Sequence, residues 1–156
     1  MALSLPGIWI MVIYKKGDLF ESTEDLIAHG CNCKGGFASG VAGMMAEKYP
    51  AARSSYMYKH RNEGWKLGDV DFAHQNRKII ANCATQDNFL PRDKCHADYN
   101  AIRVCMTKVL EYAKLRNLTI AIPKIGAGLA GGDWNLIETI LEDVFKDYDI
   151  SVYYLE

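Results

Sequence analysis

Residues 120–134 read IAIPKIGAGLAGGDW, and the fold of the chain turns on how that stretch is interpreted. The apolar triplet Ile120, Ala121, Ile122 suits a buried strand. Pro123 has no N–H for a sheet ladder, so the strand ends there. Gly126, Gly128, Gly131 and Gly132 follow, with nothing larger than Leu129 among them. Small residues let backbone N–H groups approach an anion closely. Asp133 then has the chemistry of an N-cap, and Ile137, Ile140, Leu141, Val144 and Phe145 recur at helical spacing. Strand, glycine loop and helix start form the geometry that cradles phosphate.

The string from Gly126 to Gly131 also satisfies the G-x-G-x-x-G dinucleotide fingerprint. That fingerprint opens a βαβ unit with an acidic ribose ligand about 20 residues on. Here only one helix and one strand, residues 149–156, remain. The phosphate-binding physics therefore stands, while a nicotinamide dehydrogenase is excluded by position.

The remainder of the chain bounds the answer. Its 156 residues fit one domain spanning 1–156, with 49% apolar and 24% charged residues, the balance of an ordinary globule. A formal net charge of −1 gives no overall attraction to nucleic acid or acidic membranes, and the basic cluster Lys59-His60-Arg61 reads as a solvated helix face. No apolar run reaches the roughly 20 residues that span a bilayer. The run at residues 8–14 has no basic residue before it and leads into Lys15-Lys16-Gly17-Asp18, so it is predicted as a strand rather than a signal peptide. The odd set Cys31, Cys33, Cys83, Cys95 and Cys105 points to a reducing, cytoplasmic setting. Cys31 and Cys33 fall outside the usual zinc-ligand spacing, so no metal is expected with Cys95 and His96.

Taken in order, residues 8–14 form a first strand, buried on both faces, and residues 26–29 a second. A glycine-rich loop at 30–40 precedes a helix over 41–49, and Pro50 restarts a helix to about residue 62. Residues 65–73 alternate loosely as a strand, and the turn His74-Gln75-Asn76 leads to a buried strand at 79–84. A polar loop at 85–94, a helix over 97–116, the glycine unit and a last strand at 150–155 complete the chain. Strands alternating with helices give a layered α/β fold around a mostly parallel sheet. Ligands of such sheets sit beyond the carboxyl ends of the strands, where the loops 30–40, 85–94 and 126–133 gather.

Several candidates bear chemistry. Gly35, Gly36, Ser39, Gly40 and Val41 lack the lysine of a nucleotide-triphosphate loop but suit close ligand approach. Asp18 ends a strand at a turn, and His29 ends an apolar strand beside the glycine loop. Asn82, Thr85, Gln86 and Asp87 offer hydrogen bonds without a nucleophile, and nothing lowers the Cys83 pKa. Any catalysis is therefore expected to use positioned water, with His29, Asn32 and Asp133 as candidates for holding it. Tyr153 and Tyr154 have the ring faces to flank a base, although core packing is the simpler reading of their strand.

Together these residues resemble a macrodomain, the ADP-ribose-binding module. Gly17-Asp18-Leu19-Phe20 resembles the family's strand-end motif, whose aspartate contacts adenine. His29 to Asn32, with residues 35–41, resembles its first glycine loop, and Pro123 to Leu129 its second, diphosphate-cradling loop. The strings G-D-L-F, A-H and P-K-I-G-x-G-L are similar to a branch holding an ADP-ribosyl glycohydrolase and the fungal ADP-ribose-1''-phosphate phosphatase. The glycohydrolase has a lysine where Thr85-Gln86 stand and an aspartate where Ala130 stands, so the phosphatase pattern fits better. The resemblance implies a three-layer α/β/α sandwich with a mixed, mostly parallel central sheet. It also implies ligand contacts from Asp18, Leu19, Gly35, Gly36, Ser39, Gly40, Val41, Thr85, Gln86, Pro123, Ile125, Gly126, Ala127, Gly128, Leu129 and Ala130. The expected protein is a monomeric, cofactor-independent hydrolase of an ADP-ribose derivative, most directly the 1''-phosphate. Removal of ADP-ribose from protein or nucleic acid, and non-catalytic reading of ADP-ribose signals, are the alternatives.

Overall fold

The computed structural model describes residues 2–5, 8–91 and 94–155. Strands β1 (Ala2–Leu5) and β2 (Ile8–Ile10) form a small antiparallel pair. Then follow β3 (Val12–Lys16), β4 (Leu26–Cys31), α1 (Gly40–Lys48), α2 (Pro50–Asn62), β5 (Val70–Gln75) and β6 (Lys78–Ala84). Helix α3 (Tyr99–Arg116), β7 (Ile120–Ile122), α4 (Trp134–Val144) and β8 (Ile150–Tyr154) complete the order. The main sheet runs β3-β8-β7-β4-β6-β5, parallel throughout except for β5, which pairs antiparallel with β6.

Helices cover both faces, which is why the central strands are apolar on successive residues rather than alternate ones. In β4, Ile27 points into one layer with Met45, Ala52 and Tyr56 of α1 and α2. Its neighbours Leu26 and Ala28 point into the other, with Ile102, Met106 and Val109 of α3 and Ile137 and Leu141 of α4. The result is the expected α/β/α sandwich with a mixed, mostly parallel sheet.

Two sequence expectations are corrected. The apolar run at 8–14 is not one strand: it divides at Met11, β2 pairing with β1 while β3 joins the main sheet. Nor is β3 buried on both faces, because it is the sheet's edge and Tyr14 is exposed. Residues 65–69 are not strand. The Trp65 ring stacks on Tyr56 at 5.0 Å and its indole N–H donates to the Tyr56 carbonyl, while Gly68 turns the chain at φ 92° before β5 begins at Val70. Strand β5 then continues through Gln75, past the expected start of the turn, and the reversal falls on the left-handed Asn76.

The helix ends follow the sequence closely. Asp98 accepts from the Ala101 N–H at 2.9 Å at the start of α3, and Asn117 closes its far end in the left-handed region, φ 56°. Asp133 caps α4 by accepting from the Asn135 N–H at 2.9 Å. Replacing an N-cap carboxylate by alanine typically costs about 1 kcal/mol. Asp98→Ala is therefore expected to lower stability by about that amount in urea unfolding, with an unchanged slope.

Candidate functional site

The parallel strands β3, β8, β7, β4 and β6 all end at one edge of the sheet, and the loops that leave β4, β6 and β7 meet there. Between them lies a cleft of about 520 Å³, a volume suited to a small organic ligand.

The first wall is the loop between β4 and α1. Asn32 builds it: its side-chain oxygen accepts from the N–H groups of Lys34 (2.9 Å) and Gly36 (3.1 Å), and its amide donates to the Gly36 carbonyl at 2.7 Å. The Tyr56 hydroxyl below donates to the Asn32 carbonyl at 2.7 Å and accepts from the Gly35 N–H at 3.1 Å. Helix α1 then opens with Ser39 at its N-cap, but no side chain caps it and no acid lies in its first turn. The first N–H groups of a helix have no partner inside it. Those of α1 belong to Gly40, Val41 and Ala42, which line the cleft.

The second wall is the glycine loop after β7. It closes on itself through Ala127 N–H to Lys124 carbonyl (3.1 Å), Gly131 to Gly128 (3.0 Å) and Gly132 to Gly126 (2.8 Å). The N–H groups of Gly126, Gly128, Leu129 and Ala130 form no hydrogen bond among the described residues. Gly126 is required twice over: its φ is 79°, and a Cβ there would stand 2.9 Å from Ile102. The two walls touch, for a Cβ on Gly40 would stand 3.1 Å from Leu129 Cδ1.

The third loop is fastened to both. The Cys33 N–H donates to the Asp87 carbonyl at 3.0 Å, Lys34 pairs with Asp87 at 3.4 Å, and the Phe89 ring lies over Gly36, 2.9 Å from where a Cβ would be. On the other side, the His96 N–H donates to the Ala130 carbonyl at 2.7 Å.

Of the candidates from sequence, Asn32, Gly36, Ser39, Gly40, Val41, Gln86, Pro123, Ile125, Gly126, Gly128, Leu129 and Ala130 line this cleft together. The others lie elsewhere. His29 is fully buried behind it, packed edge-on against Phe37 and 2.6 Å from the Asn82 side-chain oxygen. Asp133 is an exposed cap, and Asp18 caps the 3-10 turn at Leu19–Glu21 by accepting from the Phe20 N–H at 2.9 Å. Leu19 is buried in the layer under α1 and α2, and Ala127 is half-buried against the opposite one. Gly35 faces His60, and Thr85 is buried beneath Gly30. Gly30 and Ala38, inside the first glycine loop, also line the cleft, whereas Cys31, Ala42, Phe89 and Lys124 are not singled out as contacts from sequence. Cys31 and Lys124 sit inside the two glycine strings, Ala42 just beyond the first, and Phe89 in neither.

No carboxylate and no imidazole lines the cleft among the described residues. A second hollow, of about 470 Å³, opens at the opposite edge of the sheet and has the reverse character, being lined by Glu24, Asp147 and Asp149 together with Lys15. Burial alone would raise the Glu24 carboxyl, yet hydrogen bonds from Lys15, Tyr153 and Ser151 hold it below its ordinary value. Of the two hollows, only the glycine-walled cleft is lined by no carboxylate among the described residues.

The family model described as "Macro domain" matches residues 28–141. The chain belongs to the macro domain family. A relative from Candida albicans named ADP-ribose 1''-phosphate phosphatase is 30% identical, covering 92% of this macro domain chain and 99% of its own. A Mycobacterium tuberculosis relative named DNA ADP-ribosyl glycohydrolase is 24% identical over 92% of the chain, which spans 42% of that protein. Among solved structures, a macrodomain protein from Streptomyces coelicolor superposes with a TM-score of 0.79 at 26% identity, covering 92% and 98% of the two chains.

The core of this macro domain also titrates. Burial, partly opposed by the hydrogen bond to Asn82, pushes the His29 pKa down to about 4 from 6.5. The unfolded chain takes up a proton at His29 near pH 6.5, whereas the folded chain does so only near 4. Stability from this residue is complete above pH 6.5 and falls as pH drops toward 4, by about 3 kcal/mol. Urea unfolding across that window should show this loss in the wild type, beyond the loss shown by His29→Gln. Parallel curves for the two proteins would contradict the assignment.

Proposed function

We propose that this macro domain binds ADP-ribose derivatives in the glycine-walled cleft and removes the terminal phosphate of ADP-ribose 1''-phosphate. The observation that supports this most directly is the pairing of two sets of unspent N–H groups. One belongs to the uncapped start of α1 and the other to the loop from Gly126 to Ala130, and they face one cleft that no acid lines among the described residues. Backbone donors at a helix start and in a glycine loop suit a diphosphate. The names of the fungal relatives supply the derivative.

In this reading, water attacks the phosphorus of the 1''-phosphate, the bond from phosphorus to the sugar oxygen breaks, and that oxygen leaves with a proton. Orthophosphate and ADP-ribose are the products. With no carboxylate or imidazole lining the cleft among the described residues, rate enhancement comes from positioning and from donors aimed at charge. Asn32 holds the wall beside the water, His29 keeps that wall rigid as a neutral core group, and Asp133 acts through its cap on α4. Asp18, at the end of β3, is assigned to the adenine end of the ligand. The enzyme works as a monomer, without a cofactor, in the reducing cytoplasm that five free thiols suit. No helix among the described residues is long and apolar enough to cross a membrane.

The same lining, without carboxylate or imidazole among the described residues, favours a second reading, an ADP-ribose reader without turnover. Calorimetry should show ADP-ribose binding under both, while orthophosphate release from the 1''-phosphate occurs only under the first. Binding without release would leave the reader. Gly128 lines the cleft, has open space at its Cβ position and is not left-handed. Gly128→Val is therefore expected to fold normally, with a melting temperature near the wild type, and to lose most ADP-ribose binding. Wild-type affinity in that variant would remove the cleft from the account.

A further inference from the structure

Lys124 is the one charged side chain lining the cleft among the described residues, and no acid lines it beside Lys124. Its ammonium lies 5.9 Å from the centre of the Trp134 ring, at the outer limit of a cation–π contact. Among the described residues it forms no ion pair, whereas Lys34 beside the cleft is engaged with Asp87 and Lys15 with Glu24. A lysine is a compact charge on a flexible stem, and a weak aromatic contact yields readily to a charge-assisted hydrogen bond from a phosphate.

The perch is itself well fixed. The Trp134 indole N–H donates to the Tyr14 hydroxyl at 2.9 Å, and that hydroxyl is hydrogen-bonded to Glu138 of α4. The Tyr14 ring meets both Trp134 and Tyr154 edge-on, with centroids 6.5 Å away. The cleft is therefore asymmetric. Toward β8 and β3 it has an exposed cation beside a fixed aromatic ring, and toward β6 it has the apolar ring of Phe89 over Gly36.

We propose that Lys124 reads ligand charge: it leaves the face of Trp134 and pairs with a phosphate of the bound nucleotide, making the site selective for phosphorylated ligands. This rests on the proposed ADP-ribose site and deepens it, since backbone N–H groups recognise an anion without neutralising its net charge. Lys124 is thus a specificity residue, and Trp134 positions it while the site is empty.

The test compares ADP-ribose binding to wild type, Lys124→Ala, Lys124→Arg and Trp134→Phe by calorimetry at low and high salt, with melting temperatures alongside. Lys124→Ala should bind about tenfold more weakly at low salt. The difference should shrink at high salt, because only the pairing of charges is screened. Lys124→Arg should restore most of the affinity, and melting temperatures should match. Ligand addition should change tryptophan fluorescence in the wild type, through release of the cation, and Trp134→Phe should abolish that change. Equal affinity and equal salt dependence in wild type and Lys124→Ala would overturn this inference alone. A wild-type chain that fails to bind ADP-ribose would overturn the functional reading together with it.

Discussion

The structure depends on the contact between two loops that are far apart in the chain, where Leu129 reaches across to the bare Cα of Gly40. Residue 40 follows β4 and opens α1, and residue 129 follows β7; these strands are neighbours in the sheet. Parallel pairing of β4 with β7 brings their carboxyl ends together, so the two loops have to share one edge. Small residues let them pack closely there. A Cβ at Gly40, Gly126 or Gly132 would meet, respectively, Leu129, Ile102 or the Gly126 carbonyl at 3.1, 2.9 or 2.5 Å. A side chain at Gly132 would collide with the backbone of its own loop, and one at Gly40 would displace Leu129 from the boundary between the walls.

That constraint also explains where charge has been placed. The aspartates at the N-caps of α3 and α4 serve their own helices, while α1, the helix that opens at the cleft, has neither a capping side chain nor an acid in its first turn. A carboxylate there would occupy the N–H groups and repel an anion. His29, buried behind the cleft, is kept neutral by burial and bonded to Asn82 rather than turned to the cleft. Asn82 in turn donates to the Ala52 carbonyl at 2.9 Å, so this polar line braces β4, β6 and α2 behind the site. Rigidity of the wall and neutrality of its backing arise from the same residues.

Much of this was legible in the sequence because the signals were local. Pro123, four glycines and an aspartate cap specify a strand end, a loop and a helix start with no knowledge of the rest. The strand at 8–14 misled because apolar content does not say which partner a strand pairs with, and the division at Met11 is decided by β1 on one side and β8 on the other. Trp65 misled because an alternating pattern cannot separate a strand from an aromatic held by stacking on Tyr56. Phe89 was invisible for a further reason. Its position over Gly36 is set by the tie between Cys33 and Asp87, a contact between loops that no periodicity encodes. His29 was read as chemistry from its neighbours in sequence, while the folded chain gives it a structural bond to Asn82; Asp133 takes the N-cap role expected of it and lies outside the cleft lining.

The central claim is that two sets of backbone amides, one at the start of α1 and one in the loop after β7, jointly grip a diphosphate. Titrating isotope-labelled protein with ADP-ribose and following backbone amide resonances tests it directly. The account predicts the largest shifts at Gly40, Val41 and Ala42 together with Gly126, Gly128, Leu129 and Ala130, saturating at one concentration. Shifts confined to one of these sets, or centred on the acidic hollow around Glu24 and Asp149, would contradict it.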